Sequence, residues 1–181
     1  MAVKQILKDV IVSYCHVLEA RPTPDGSEEK YSGSLIMAKD NPCVKTLQAN
    51  ILAVAKEKFG TKAAAMLKSG KLRSPLRDGD TDREDDPAYA GKLFINASSK
   101  RKPQVVDRQV MPIVDEDEVY SGVTANVSIA LFPYDVNGNK GVGCGLNNMQ
   151  VTHKGPRLDG AASAAEEFEE LEDEDGEDEL D

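Results

Sequence analysis

Lysine and arginine recur beside tyrosine and phenylalanine along this chain. Lys30 adjoins Tyr31, Arg73 stands near Arg77, Tyr89 precedes Lys92 and Phe94, and Lys100, Arg101 and Lys102 form a basic run. Tyr120 follows, then Phe132, Tyr134 and Lys140. An aromatic face stacks on any planar ring, and a neighbouring cation neutralises a phosphate. Together they suit a nucleic-acid strand with unstacked bases, each stacked base being worth about 1–3 kcal/mol and each neutralised phosphate adding a salt-dependent contribution. Taken singly, each ring suits a hydrophobic core equally well, and Phe59, Phe132 and Tyr14 are expected there. The cluster Tyr89 to Lys102, taken together, reads as a binding surface.

Other chemistries fail on spacing. DGDTDREDD, residues 78–86, offers acids at alternate positions as a calcium loop does. The sixth position, where a glycine should turn the chain, is Arg83, and the twelfth, where a bidentate glutamate should sit, is Tyr89. A solvated loop is expected. NKGVGCGLNN, residues 139–148, lacks the G-K-[ST] of a phosphate-binding loop, so its glycines are read as bulges, barrel bends or close approaches of a ligand backbone. His16 and His153 accompany no nucleophile motif, and Cys15, Cys43 and Cys144 have neither zinc spacing nor an even count for disulfides. No catalytic residue, cofactor or metal is expected.

Charge is segregated. Of the last 16 residues, EEFEELEDEDGEDELD, 12 are acidic and none is basic, so the chain's net charge of −10 belongs to its end. The preceding residues hold all 22 Lys and Arg against the remaining 20 acids. A self-repelling acidic run reads as a disordered tail that acts on charged surfaces.

The elements that must carry these residues follow from periodicity. DVIVSYCHVLEA and YSGSLIMA read as strands joined through the turn RPTPDGSEEK. From Pro42 to Gly60 the apolar residues fall at helical spacing, with Asp40 or Asn41 as cap and Gly60 as terminator, and TKAAAMLKSGK suggests a shorter helix. Leu72 to Ala90 shows no period and is expected to be a long surface loop. GKLFINASS, PQVVD, VMPIVD, GVTANVSIALFPY and GVGCGLNNMQVTHK then read as strands, with Asn137-Gly138 a strong hairpin turn. Many short strands around one early helix favour a small β-barrel over a layered α/β fold. MAVKQILKDV has no signal-peptide core, so a cytosolic setting is expected, and no stretch is apolar enough for a membrane helix.

The ordered motifs YSGSLIMAK, AKEKFG, PLRDGD, YAGKLFINASSKRKPQVVD and VYSGVTANVSIALFPYDVNGNKGVGCGLNNMQ resemble a phage-type family of single-stranded DNA-binding proteins with an OB fold, once catalogued as a domain of unknown function. The resemblance covers nearly all of residues 8–155. It implies non-catalytic binding of single-stranded DNA in replication, recombination or repair, in the cytoplasm of a bacterial host. It places Arg77 at the site through PLRDGD, and Tyr89, Lys92, Phe94, Lys100, Arg101 and Lys102 along the groove, with Tyr120 and Lys140 as weaker matches. Homodimerisation is implied by the resemblance alone.

The resulting expectation is mainly β: an OB-fold-like β-barrel over 1–155 with one main inserted α-helix, a linker over 156–165 and a disordered acidic C-terminal tail over 166–181. Lys30, Tyr31, Arg73, Arg77, Tyr89, Lys92, Phe94, Lys100, Arg101, Lys102, Tyr120 and Lys140 are the candidate nucleic-acid contacts. The partner expected is single-stranded DNA of any sequence, with duplex DNA weaker. Phe168, Leu171 and Leu180 are the tail residues expected to compete with DNA or to recruit replication or recombination proteins. Several single-stranded DNA-binding proteins end their acidic tail in an aromatic residue that docks in replication partners, whereas this one ends Leu180-Asp181. The rival readings are an interaction module whose tail mimics DNA, and a metal-dependent nuclease.

Overall fold

A computed structural model describes residues 2–158 and Leu171. The expected roles of Phe168 and Leu180, and the expected disorder of the tail, lie outside the described residues. The elements run β1 (Val3–Pro22), β2 (Glu29–Ala38), α1 (Cys43–Phe59), α2 (Ala63–Ser69), β3 (Leu76–Asp78), the single turn α3 (Gly79–Asp82), β4 (Lys92–Ser99), β5 (Gln104–Val106), β6 (Thr124–Val136) and β7 (Asn139–His153).

The strands lie in the order β3-β4-β2-β1-β6-β7-β5, and a further pairing joins β4 to β7. That pairing closes β1, β2, β4, β7 and β6 into a five-stranded barrel of OB type, leaving β3 and β5 outside the closure. Closure rests on one parallel bridge, Ser98 to Gly145. The interior follows the alternation of the strands: Leu35 and Met37, Ile95 and Ala97, Val127, Ile129 and Leu131, and Leu146 all point inward and are buried.

Helix α1 packs against β1, β6 and β7, presenting Val44, Leu47, Ile51, Val54 and Ala55 to the core. The Asn41 side chain accepts from the Cys43 N–H at 2.9 Å and Gly60 leaves the helix at φ 82°, which matches the capping and terminating signals. Asn137 and Gly138, at φ 52° and 85°, make the tight β6–β7 turn that this dipeptide favours.

Three expectations are corrected. VMPIVD is no strand: Asp107 Oδ1 accepts from the N–H groups of Gln109 and Met111, curling the segment so that Val110, Met111 and Val114 face outward. The loop 72–90 is not structureless, because Leu76–Asp78 adds β3 to the edge of β4 and Asp78 caps α3 through the Asp80 N–H. Tyr14 and Phe132, placed in the core by type, are 49% and 41% exposed. Phe59 is partly buried against the core.

The thiols of Cys15 and Cys144 are pushed up to about 12 by burial, which holds them protonated and unreactive at neutral pH.

Candidate nucleic-acid interface

The outer face of the β2–β4 pair is unusual in its side chains. Ser32 pairs with Ser98 and Ser34 with Asn96, so four small polar residues tile a patch where a barrel exterior would normally carry long ones. At one end the patch is capped. Ile36, Phe94 and Tyr89 form a satellite apolar cluster outside the barrel, with Phe94 and Tyr89 meeting edge to face at 5.0 Å. The Tyr89 hydroxyl donates to Ser34 Oγ at 2.8 Å in a buried contact.

Tyr89 therefore anchors the segment 79–91 to the barrel. The approach is close enough that a Cβ on Gly79 would lie 2.1 Å from the Tyr89 carbonyl oxygen, so only glycine fits there. Tyr89→Ala is expected to lower stability by about 3 kcal/mol and to speed proteolytic nicking of 79–91. Tyr89→Phe, which strands the Ser34 hydroxyl, should cost about 1 kcal/mol. Denaturant midpoints unchanged in both variants would refute the anchor.

Beyond the cap the surface is open. A cleft of about 540 Å³ is bounded by Leu72, Arg73, Arg77, Asn96, Tyr134 and Gly143. A second hollow, of about 240 Å³, lies over Ser32, Asn96 and Ser98, with Tyr14 and Arg83 at its rim. Asn96 borders both, so they join into one track across the barrel. The track continues along the same strand parity to Lys30 and Lys100.

Its cations are held in different ways. Arg73 sits on a segment laid against the start of β7, where its N–H donates to Lys140 O and its carbonyl accepts from the Val142 N–H. A Cβ on Gly141 would come 2.4 Å from that carbonyl, so this glycine admits the segment. Arg77 spans the Phe94 ring at 5.7 Å and pairs with Asp82 at 3.1 Å. Arg83 lies over three rings, Tyr14 at 5.2 Å, Tyr89 at 5.6 Å and Phe94 at 5.8 Å, and pairs with no carboxylate among the described residues. Glu28 holds both Lys100, at 2.9 Å, and Lys30, at 3.5 Å. The hydrogen bond from Lys100 keeps the Glu28 carboxyl below its ordinary range, so it stays ionised at neutral pH.

Aromatic faces come from residues assigned elsewhere by sequence. Phe132 lies across Gly143, where a Cβ would stand 2.6 Å from the ring, and it reaches toward Gly145. The alternation Gly141, Gly143, Gly145 strips one face of β7 of side chains and gives the ring a shelf. Tyr14 points outward because β1 carries an extra residue between Ser13 and His16, and Tyr14 adopts φ 48° there. A left-handed backbone is costly for a bulky residue and is sustained here by the surrounding ladder.

The candidate residues thus divide. Arg73 and Arg77 line the cleft, with Lys140 beside Arg73, and Lys30 and Lys100 extend the track. Arg101 and Lys102 are exposed on the turn after β4. Tyr31 is half-buried and of inward parity, and Lys92 lies two positions beyond Phe94, lining neither hollow. Tyr89 and Phe94 are 0% and 1% exposed and so present no face to a base, their role being to seat Arg77 and Arg83. Tyr120 is elsewhere: its hydroxyl donates to Gly155 O at 2.7 Å and Arg157 covers its ring at 4.4 Å, pinning the segment after β7.

Arg83 and the outward placement of Tyr14 and Phe132 escaped the sequence reading. For Phe132 a signal existed, since glycine at every second position of a strand calls for an aromatic neighbour to cover it.

Comparison with known proteins agrees with this architecture. The ssDNA-binding protein of bacteriophage Enc34, solved in complex with ssDNA, superposes with a TM-score of 0.71 at 22% identity, over 87% of this chain and 89% of that one. The single-stranded DNA-binding protein gp2.5 of bacteriophage T7 superposes with a TM-score of 0.62 at 15% identity, over 93% and 98% of the two chains. A putative protein, p50, of Acyrthosiphon pisum secondary endosymbiont phage 1 is 31% identical over 172 residues, 91% of this chain and 92% of that protein. The family model built around the Enterobacter phage Enc34 ssDNA-binding protein matches residues 3–180, and the chain belongs to that family.

Proposed function

We propose that this chain binds single-stranded DNA without chemical change to it, coating the strand during replication, recombination or repair of a phage or prophage genome in the host cytoplasm. The observation that carries the reading is the track joined at Asn96. Arg73, Arg77 and Arg83 flank it, Lys30 and Lys100 extend it, Tyr134 and Tyr14 line it, and Phe132 lies over Gly143 at its border. A duplex hides its base faces and offers the rings nothing to stack on, so single strands are preferred. Among the described residues no helix is long and apolar enough to cross a membrane.

The test is an anisotropy titration with oligo-dT and with duplex DNA across a salt series. Single strands should bind more tightly, and log K should fall against log salt with a slope of about −0.7 per phosphate contacted. Salt-independent binding to oligo-dT would refute the groove, and binding to neither DNA would favour the interaction-module reading. Shortened strands after incubation with Mg²⁺ or Mn²⁺ would mean a nuclease.

Glu28 bears on the same property. It occupies two lysines that would otherwise face phosphate, so Glu28→Gln should tighten oligo-dT binding about threefold at low salt and steepen the salt slope. A variant that binds more weakly than the wild type would show instead that Glu28 positions the lysines.

A further inference from the structure

Within the track, the hollow rimmed by Tyr14 and Arg83 differs from the rest in its polar groups. Its floor is Ser32, Asn96 and Ser98, whose side chains hydrogen-bond to nothing among the described residues. Arg83 stands at its edge with its guanidinium over three rings and, among the described residues, with no ion pair to a carboxylate and its side-chain N–H donors unspent. Elsewhere along the track Arg77, Lys30 and Lys100 are paired with carboxylates and Arg73 lies over no ring among the described residues, so charge and ring faces, which do not distinguish one base from another, dominate there. Unspent donors held in a fixed plane do distinguish, because they require acceptors at matching positions.

We propose that this hollow is a base-selective subsite that takes one guanine of the bound strand, Arg83 donating to O6 and N7. The proposal rests on the single-stranded DNA reading and adds to it a preference at one position per bound protein. Guanine fits because O6 and N7 are adjacent acceptors matched by a guanidinium fork. Adenine sets an amino donor where O6 would be, opposing donor to donor. Thymine has one acceptor on that edge, flanked by its methyl group. The unpartnered hydroxyls of Ser32 and Ser98 and the Asn96 amide supply donors and acceptors to the remaining polar atoms. Contact with Tyr14, Tyr89 and Phe94 confines the guanidinium, so little side-chain freedom is lost on binding.

The test uses the full chain and dT strands in which every fourth base is guanine, 7-deazaguanine, adenine or cytosine. The guanine strand should bind about fivefold or more tightly than the adenine and cytosine strands, as a bidentate contact discriminates. The 7-deazaguanine strand, which lacks only the N7 acceptor, should lose most of that preference with the protein unaltered. Arg83→Lys should lose the difference between the guanine strand and the other three, whatever its common affinity for them. Equal affinities of the wild type for all four strands, with salt-dependent binding intact, would overturn the subsite and leave the proposed function standing. A guanine preference that persists in Arg83→Lys would also overturn it. Binding of none of the strands would remove the function and the subsite together.

Discussion

Replacing Phe132 with alanine should weaken oligo-dT binding by roughly 5- to 150-fold, the equivalent of one stacked base, while the melting temperature falls by only a few degrees. The ring is 41% exposed and spread over Gly143, so it contributes little to the core and offers a fixed face to solvent. A platform held flat in advance loses little entropy when a base settles on it. Phe132→Trp should keep or improve affinity. Gly143→Val leaves Phe132 in the sequence but puts a side chain where the ring now lies, since even a Cβ would stand 2.6 Å from it. It should reproduce much of the binding loss. If Phe132→Ala binds oligo-dT within twofold of the wild type, stacking at this shelf plays no part and the track works by charge alone.

A chain ending at Ala165 should bind single strands more tightly than the full chain at low salt, by on the order of tenfold, and should discriminate less against duplex. The 12 carboxylates of 166–181 are tethered to a body whose track carries Arg73, Arg77, Arg83, Lys30 and Lys100. Tethering would hold the tail at an effective concentration that free acidic peptide does not reach, and DNA would then have to displace it. The advantage of truncation should vanish as salt rises, because screening weakens the tail's hold together with that of the DNA. Phe168 adds a testable detail: if it mimics a stacked base, Phe168→Ala in the full chain should recover part of the gain. Equal affinities of the two chains at low salt would end the competition idea and leave the tail to partner recruitment.

What the sequence made legible was the part governed by local rules. Helix α1 declared itself through its apolar spacing, Asn41 and Gly60, and the β6–β7 hairpin through Asn137-Gly138. The strands of the barrel followed from alternation. Burial of individual rings was illegible because it is decided by what lies over them. Tyr89 and Phe94 sit in the most basic and aromatic stretch of the chain, yet they are sealed by each other, by Ile36 and by the return of 79–91 over β4. Phe132 and Tyr14 look like core residues by type, and are turned outward by a glycine stripe and by a one-residue bulge. By sequence alone Arg83 belongs to a solvated acidic loop. Only the folding back of that loop brings it over Tyr14, distant in sequence, together with Tyr89 and Phe94.

The bridge between Ser98 and Gly145 is the one place where the barrel wall is a single rung thick. A sheet closed by so little can unzip along that line without unfolding elsewhere, making it the seam for local opening. Ser98 also belongs to the floor on which the strand is proposed to lie. DNA spanning from the Arg83 side to the β7 side would then act as a suture across the seam, so that cargo and container stiffen one another. Amide hydrogens of β4 and β7 flanking Ser98 and Gly145 should exchange more slowly with oligo-dT bound, while those of the α1 face, remote from the seam, keep their rates.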